Sequence, residues 1–147
     1  GLKHARGRYL LFLNPDMRVK EGSLDGLIEW MDAHSESGIS SCQLVDVLGR
    51  PLVTSYPRAL PRLGQEILWL LRLDVFQRKS RFEIPSEVQN VEMVKGAFML
   101  VRRELVDKLG FAFDPRYFLL YEDTDLCREA KRLGYQVTYH PHVSCVD

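Results

Sequence analysis

Short apolar runs alternate with polar stretches along the chain, and their spacing predicts strands and helices in turn. Residues 9–13 (YLLFL) form an uninterrupted apolar run with the length of one buried strand. Apolar residues at helical spacing predict a helix over residues 23–34, with Ser23 as its N-cap. Residues 39–48 and 52–55 flank a Gly-Arg-Pro turn, and this arrangement predicts a hairpin.

The second half of the chain continues the alternation. Residues 91–101 predict a strand in which Gly96 and Ala97 let another backbone or a ligand approach closely, with a tight bend as the alternative. A two-turn helix follows over residues 103–109 and ends at Gly110, where helices favour glycine.

One more helix and one more strand complete the pattern. Residues 125–133 predict a helix that stops at Gly134, and the alternation over residues 135–139 predicts a final strand. The segment 140–142 (HPH) predicts a turn after that strand. The whole chain, residues 1–147, therefore predicts one α/β domain with a mixed sheet flanked by helices.

Residues 50–90 differ in composition and predict an inserted helix and loop. Residues 50–81 contain seven Lys or Arg and two Glu or Asp. The basic helix predicted over residues 63–76 carries Trp69 and could lie in a membrane interface or cradle a lipid-linked substrate. A buried helix whose arginines reach water is the alternative. Residues 78–90 predict a mobile loop of the kind that often gates a site.

Composition narrows the class of protein. The 147 residues suffice for one domain, and 20 basic and 20 acidic residues cancel, so no overall field favours nucleic acid. Three cysteines without a CxxC pair argue against a disulfide framework or a structural zinc site and fit a cytosolic protein. No apolar run has the roughly 20 residues of a membrane span, so we expect a soluble or peripheral protein.

Three carboxylates follow a block of aromatic and aliphatic residues and form the first candidate site. Glu122, Asp123 and Asp125 come directly after residues 117–121 (YFLLY). A carboxylate that emerges from an apolar wall into a cleft is a candidate general base. The alternative is that Asp123 or Thr124 caps the helix and the other acids complement its dipole.

A second polar cluster, Asn14 and Asp16, follows the first strand. Ligands bind at the carboxyl ends of strands in open α/β sheets, and such oxygen ligands suit Mg²⁺ or Mn²⁺. A simple turn is the alternative. His140 and His142 form an H-x-H pair that could bind a metal, but Pro141 favours surface histidines instead. The cysteines are interpreted as core or surface thiols.

These segments together resemble family 2 glycosyltransferases, and among them the bacterial rhamnosyltransferase-like group. The opening GLKHARGRYLLFLNPD resembles one segment of that family, and VKGAFMLVRRELVDKLG followed by FDPRYFLLYEDTDLC resembles its acceptor-side half. The resemblance implies the GT-A fold, here truncated, and an inverting transfer of a sugar from a nucleotide diphosphate to an acceptor hydroxyl. It also implies a divalent ion, Mg²⁺ or Mn²⁺, on the diphosphate.

The resemblance also implies roles for individual residues. Asn14 and Asp16 match the family's D-x-D-like element, with Asp16 as the carboxylate that meets the metal or the donor diphosphate. Asp123 matches the catalytic base, and Glu122 supports it.

On the acceptor side, Gly96 and Ala97 match a lining segment where a small residue leaves room for substrate. Asp125 caps the helix or reaches the acceptor. Asp147 stands where a histidine often binds the metal or diphosphate, and Pro115 and Glu129 also depart from the family's pattern.

The resemblance implies a bacterial enzyme of polysaccharide or cell-wall biosynthesis that transfers rhamnose or another hexose to a glycan or lipid-linked acceptor. It would work in the cytoplasm or at the inner face of the cell membrane, with peripheral contact through residues 58–81. The family's nucleotide-binding half is missing at the amino end, so we expect the chain alone to be inactive. A non-catalytic module of the same fold that binds a membrane or a protein partner is the alternative.

Overall fold

The computed structural model describes residues 2–52, 56–60, 85–117 and 121–147. Its strands are β1 (Tyr9–Leu13), β2 (Arg18–Val19), β3 (Ser37–Val45), β4 (Gln89–Asn90), β5 (Phe98–Arg102) and β6 (Gln136–Val146). Its α-helices within these residues are α1 (Ser23–Ala33), α2 (Arg103–Leu109) and α3 (Glu122–Arg132), and a short 3-10 helix spans Leu2–His4. The mixture of helices and strands confirms the predicted α/β class.

The described strands form one mixed sheet in the order β1-β5-β3-β6-β2, with β4 also paired to β6. Strands β3 and β6 are parallel, and the other pairs are antiparallel. Every residue of β3 except Gln43 is buried, as expected for a central strand with both faces covered. β3 and β6 therefore form the frame of the sheet.

The side chains of β5 alternate between the two faces of the sheet and divide the core into two clusters. Phe98 and Leu100 join the cluster that contains Leu27 and Met31 of α1. Met99 and Val101 belong to the opposite cluster, whose helical members include Leu105 of α2 and Leu126 of α3. This period of two is the geometry of an extended strand, and it places α1 on one face and α2 and α3 on the other.

The turn predicted at residues 140–142 is wrong, because β6 continues through it to Val146. Cys42 pairs with His140, but the next residue, Gln43, pairs with Ser144. The residues between His140 and Ser144 thus form a bulge in the ladder. Pro141 is tolerated there because a bulged residue has no ladder hydrogen bond to lose.

The predicted strand over residues 91–101 is also wrong in its extent. β5 begins at Phe98, and Gly96 and Ala97 lie in the segment just before it. The Asn14 amide donates to the Ala97 carbonyl at 3.0 Å, so this segment lies beside the end of β1.

Two further details of the prediction need correction. Ser23 is the first residue of α1 and not its N-cap, which is Gly22 with φ of 75°. The Ser23 hydroxyl instead donates to the Ser144 carbonyl at 3.2 Å. The hairpin is confirmed for its described residues, since the Leu52 amide donates to the Leu44 carbonyl at 2.9 Å.

The basic helix predicted over residues 63–76 lies outside the described residues, as do residues 53–55 and most of the predicted loop over residues 78–90. The proposed membrane or partner contact through residues 58–81 falls largely in that same part. Among the helices in the described ranges, none is both long enough and apolar enough to cross a bilayer.

His140 is buried, which contradicts the prediction of a surface histidine, whereas His142 is exposed. The His140 ring packs edge-on against Trp30, with ring centroids 4.7 Å apart, and its Nε2 is buried without a hydrogen-bond partner in the described chain. Burial, with a smaller contribution from the charge of His34, lowers the pKa of His140 to about 4. The packing of α1 against β6 thus depends on a neutral imidazole.

This burial predicts a specific acid sensitivity. The unfolded chain binds a proton on His140 as the pH falls below about 6.5, but the folded chain binds it only near the lowered pKa. The free energy of unfolding should therefore fall between pH 6.5 and 4, by about 2 kcal/mol for this residue. Urea denaturation at several pH values should show a shallower pH dependence for His140→Gln. The exposed control His142→Gln should keep the parent slope, and equal slopes in all three proteins would contradict the prediction.

Candidate functional site

A cleft of about 640 Å³ lies where β1, the segment before β5 and the start of α3 meet. Most of its lining comes from these three places, and it comprises Leu11, Phe12, Leu13, Asn14, Leu44, Lys95, Gly96, Ala97, Phe113, Glu122, Asp123 and Asp147. The lining combines apolar residues with two carboxylate groups from Glu122 and Asp123, Asp147, an asparagine and a lysine. Such a combination is typical of a ligand site.

The acidic segment lies at the start of α3, which begins at Glu122. Its N-cap position is occupied by Tyr121, whose φ of 69° is left-handed and uncommon for a residue with a side chain. Glu122, Asp123 and Asp125 all lie in the first turn, where negative charge complements the helix dipole. Asp123 and Thr124 are therefore not the N-cap, although the acids do stabilise the helix start.

Asp123 is held by hydrogen bonds to both of its carboxylate oxygens. Its Oδ2 accepts from the Gly96 amide at 3.0 Å, and its Oδ1 accepts from the Thr124 amide at 2.6 Å and the Thr124 hydroxyl at 3.2 Å. A carboxylate oxygen has two lone pairs, so Oδ2 keeps one for a further partner. This geometry fixes the carboxylate and leaves it able to accept a proton.

Gly96 permits this close approach. A Cβ added at Gly96 would lie 3.4 Å from the Cβ of Asp123 and 3.7 Å from its Oδ2. These are ordinary van der Waals distances, so a methyl group at this position would touch the Asp123 side chain without a clash. The expected close approach at Gly96 is made by the Asp123 side chain.

Glu122 contributes a polar atom that has no partner in the described chain. Its Oε2 is buried and makes no hydrogen bond with the described residues. Because a buried carboxylate oxygen without a partner is costly, a cation or hydroxyl group from a bound ligand would stabilise it.

The structure brings together five of the predicted site residues and separates two others. Those that line the cleft are Asn14, Gly96, Ala97, Glu122 and Asp123. Asp16 is exposed on the turn after Asn14 and is not part of the lining. Asp125 instead lines a separate cavity with Tyr117, Tyr121, Thr124 and Arg128.

Lys95 and Asp147 are lining residues that carry further charge into the cleft. The Asp147 amide donates to the Val45 carbonyl at 2.9 Å, which holds it at the end of the parallel strand pair. In the sequence, Asp147 stands out only as a departure from the family's pattern. Lys95 was not predicted as a site residue, although its position next to Gly96 was a usable signal.

The cysteines offer no alternative nucleophile. Cys42, Cys127 and Cys145 are free and buried. Burial raises the pKa of Cys127, which lies on α3 near Asp123, to about 12. A thiol with such a pKa stays protonated at neutral pH and is a poor nucleophile.

The side chains of this cleft could supply only part of the ligands of a divalent ion. Within the described residues, no three His, Cys, Asp or Glu side chains cluster closely enough to hold a metal ion. The cleft does offer hard oxygen donors from Asn14, Glu122 and Asp147. Mg²⁺ and Mn²⁺ often bind protein through one or two carboxylates and take their other ligands from phosphates and water. The residues present fit an ion of that kind.

Comparison with known proteins identifies the family. Residues 42–147 match the family model described as glycosyltransferase like family 2. The chain belongs to this family. A rhamnosyltransferase of Escherichia coli K12, WbbL, is 29% identical to this family 2 chain over 133 residues, which cover 90% of the chain and 49% of the relative.

A second relative is the N-acetylglucosaminyl-diphospho-decaprenol L-rhamnosyltransferase of Mycobacterium tuberculosis. It is 29% identical over 144 residues, which cover 90% of this chain and 44% of that protein. The chain thus spans about half the length of these two relatives.

A solved glycosyltransferase structure supports the fold. It is the mannosyltransferase PcManGT of Pyrobaculum calidifontis, in complex with GDP-Man and Mn²⁺, and it superposes with a TM-score of 0.59 at 20% identity. The match covers 99% of this chain and 33% of the mannosyltransferase. The predicted GT-A architecture is confirmed by this similarity.

The hydrogen bonds of Asp123 predict that it stabilises this glycosyltransferase domain. An asparagine side chain has only one acceptor oxygen. In Asp123→Asn its NH₂ group would therefore face the backbone N–H of either Gly96 or Thr124, and that hydrogen bond would be lost. We expect a loss of about 1–3 kcal/mol in the free energy of unfolding, measured by urea denaturation at pH 7.

Asp125→Asn is the matched control, because it removes the same charge from the same helical turn. The Asp125 carboxylate makes no hydrogen bond within the described ranges, so its loss should cost less than about 1 kcal/mol. Equal losses for the two variants would show that only the charge near the helix start matters.

Proposed function

We propose that this domain performs the acceptor-side chemistry of an inverting glycosyl transfer, with Asp123 as the general base. The observation that carries the proposal is the position of the Asp123 carboxylate. Two backbone amides hold it at the wall of the cleft, and its Oδ2 keeps a free lone pair. A base must be held in place in this way to meet the hydroxyl it deprotonates.

The proposed reaction is a single displacement on a nucleotide-sugar donor. The acceptor oxygen forms a bond to the anomeric carbon while the bond from that carbon to the diphosphate oxygen breaks. The electron pair of the broken bond leaves with the nucleoside diphosphate. The proton of the acceptor hydroxyl passes to Asp123, and attack from the face opposite the diphosphate inverts the anomeric configuration.

The donor diphosphate is assigned to the side of the cleft formed by Asn14 and Lys95. Lys95 lines the cleft, and its ammonium group would neutralise phosphate charge. Glu122 and Asp147, with Asp16 on the adjoining turn, are the residues proposed to hold Mg²⁺ or Mn²⁺, which would neutralise the departing diphosphate when bound. Glu122 would also support Asp123 as the base.

The substrates are proposed from the relatives. Two of them are rhamnosyltransferases, and the name of the mycobacterial protein includes a diphosphate-linked lipid. We therefore assign rhamnose or another hexose as the transferred sugar and a glycan or lipid-linked acceptor. Gly96 and Ala97 would line the acceptor side, whereas Asp125 lines a separate cavity. The full-length protein would catalyse this transfer at the cytoplasmic face of the membrane.

Replacement of the base tests this function. With the full-length protein, its nucleotide-sugar donor and its acceptor, Asp123→Asn should lower kcat at least about 100-fold, because proton removal contributes that much to such reactions. The rate should be measured by product formation, at a temperature where circular dichroism shows both proteins folded.

The control separates chemistry from stability and charge. Asp125→Asn should keep kcat within about tenfold of the parent, since its carboxylate lies outside the cleft. If Asp123→Asn kept more than a tenth of the parent kcat, Asp123 would not be the base.

A further inference from the structure

A second cavity reaches Asp123 from another side, and we propose that it binds a phosphate group of the acceptor close to the reacting hydroxyl. It has a volume of about 270 Å³ and is lined by Arg58, Met93, Lys95, Tyr121, Asp123 and Thr124. The inference rests on the proposed function of Asp123 as the base. It goes beyond that function because it assigns Arg58, Lys95 and Tyr121 to the acceptor.

The position of this cavity suits an acceptor. It shares only Lys95 and Asp123 with the larger cleft, so these two residues form the boundary between the two spaces. In a displacement that inverts configuration, the acceptor approaches the anomeric carbon from the side opposite the leaving diphosphate. A base at the boundary can therefore serve a hydroxyl that reaches Gly96 from the second cavity, while the donor diphosphate lies at the Asn14 side of the larger cleft.

The charge of the second cavity suits an anion. Arg58 and Lys95 line it, and neither makes an ion pair or a side-chain hydrogen bond within the described residues. Arg8, Arg50, Arg116 and Arg132, by contrast, each pair with a carboxylate. The one acid of the cavity, Asp123, is already engaged by two amides. Arg58 thus remains for an acceptor phosphate, with Lys95 shared between acceptor and donor, and a guanidinium group binds phosphate through paired hydrogen bonds.

The backbone holds Arg58 in this place. The Arg58 amide donates to the Met93 carbonyl at 3.2 Å, and the Met93 amide donates to the Arg58 carbonyl at the same distance. This bridge fixes Arg58 beside the segment that leads to Lys95 and Gly96. The two cations are therefore positioned by the same segment that binds Asp123.

Tyr121 adds an aromatic surface to the same cavity. Its side chain is 57% exposed, and its left-handed backbone places it at the turn into α3, next to the acids. Uncommon backbone conformations cluster at ligand sites, and an aromatic face packs against the apolar face of a sugar ring. The cavity therefore matches a glycosyl phosphate or glycosyl diphosphate, whose sugar and phosphate are directly joined.

A binding experiment on the full-length protein tests this site without any transfer reaction. Glucose 1-phosphate and methyl glucoside are the probes, and isothermal titration calorimetry measures their affinities. We expect the phosphorylated sugar to bind at least about tenfold more tightly than the neutral one. Arg58→Gln should weaken the binding of glucose 1-phosphate about tenfold, which is the effect of losing one charge-assisted hydrogen bond.

Further titrations distinguish an acceptor phosphate from the donor's diphosphate. UDP, GDP and dTDP are titrated in turn, and the nucleotide that binds most tightly is used to measure affinity at the donor site. Its affinity should stay within about twofold in Arg58→Gln. Arg6→Gln is the charge-matched control, since Arg6 is exposed and lines neither cavity, and it should bind every probe as the parent does.

Three results would overturn the site. The two sugars could bind equally or not at all at millimolar concentration, Arg58→Gln could weaken the nucleotide as much as the sugar phosphate, or Arg6→Gln could match Arg58→Gln. Each of these outcomes leaves the role of Asp123 in transfer untouched, because none depends on turnover.

Discussion

The hydrogen bond from the Gly96 amide to the Asp123 carboxylate joins the two halves of the candidate site. Gly96 lies just before β5, which pairs with β1 and β3, and Asp123 lies in the first turn of α3, which packs on one face of the sheet. A hydrogen bond to a charged acceptor is worth about 1.5–3 kcal/mol, and this one aligns the helix start with the sheet edge. A Cβ at Gly96 would lie in van der Waals contact with the Asp123 side chain, so the backbone and the carboxylate are close neighbours here.

The sheet supplies the rest of the site through its strand ends. The β1 end brings Asn14 beside Ala97, and the parallel pair β3 and β6 ends beside Asp147, whose amide is held by Val45. Acidic and basic side chains from distant parts of the sequence thus meet at one place. The same boundary residues, Lys95 and Asp123, face both cavities, so the two proposed substrates share one base and one cation.

Much of this arrangement could be predicted from local sequence. The apolar run at residues 9–13, the glycine after α2 and the acids in the first turn of the last helix each carry a local signal, and β1, α2 and the start of α3 follow from them. Asn14 and Asp123 belong to separate candidate clusters in the sequence, and the structure brings both to one cleft. The continuation of β6 and the burial of His140 could not be predicted, because they depend on a bulge and on contact with Trp30 from a distant helix.

The positions of two acids show a further limit of sequence spacing. Asp125 is two residues from Asp123, and two residues correspond to about 200° of rotation around a helix, so their side chains face different cavities. Arg58 was missed as a candidate because its pairing with Met93 joins segments that are far apart in sequence. Residue propensity and spacing predict helices and strands, whereas the site depends on which helices and strands pack together.

A crystal structure of the full-length protein with a nucleoside diphosphate and an unreactive acceptor analogue tests the central claim most directly. The measured quantity is the distance from Asp123 Oδ2 to the acceptor atom that replaces the attacking hydroxyl. The account predicts about 2.6–3.2 Å, with the Gly96 hydrogen bond retained and the diphosphate on the Asn14 side of the cleft. An acceptor bound out of reach of Asp123 and adjacent to another base would contradict it.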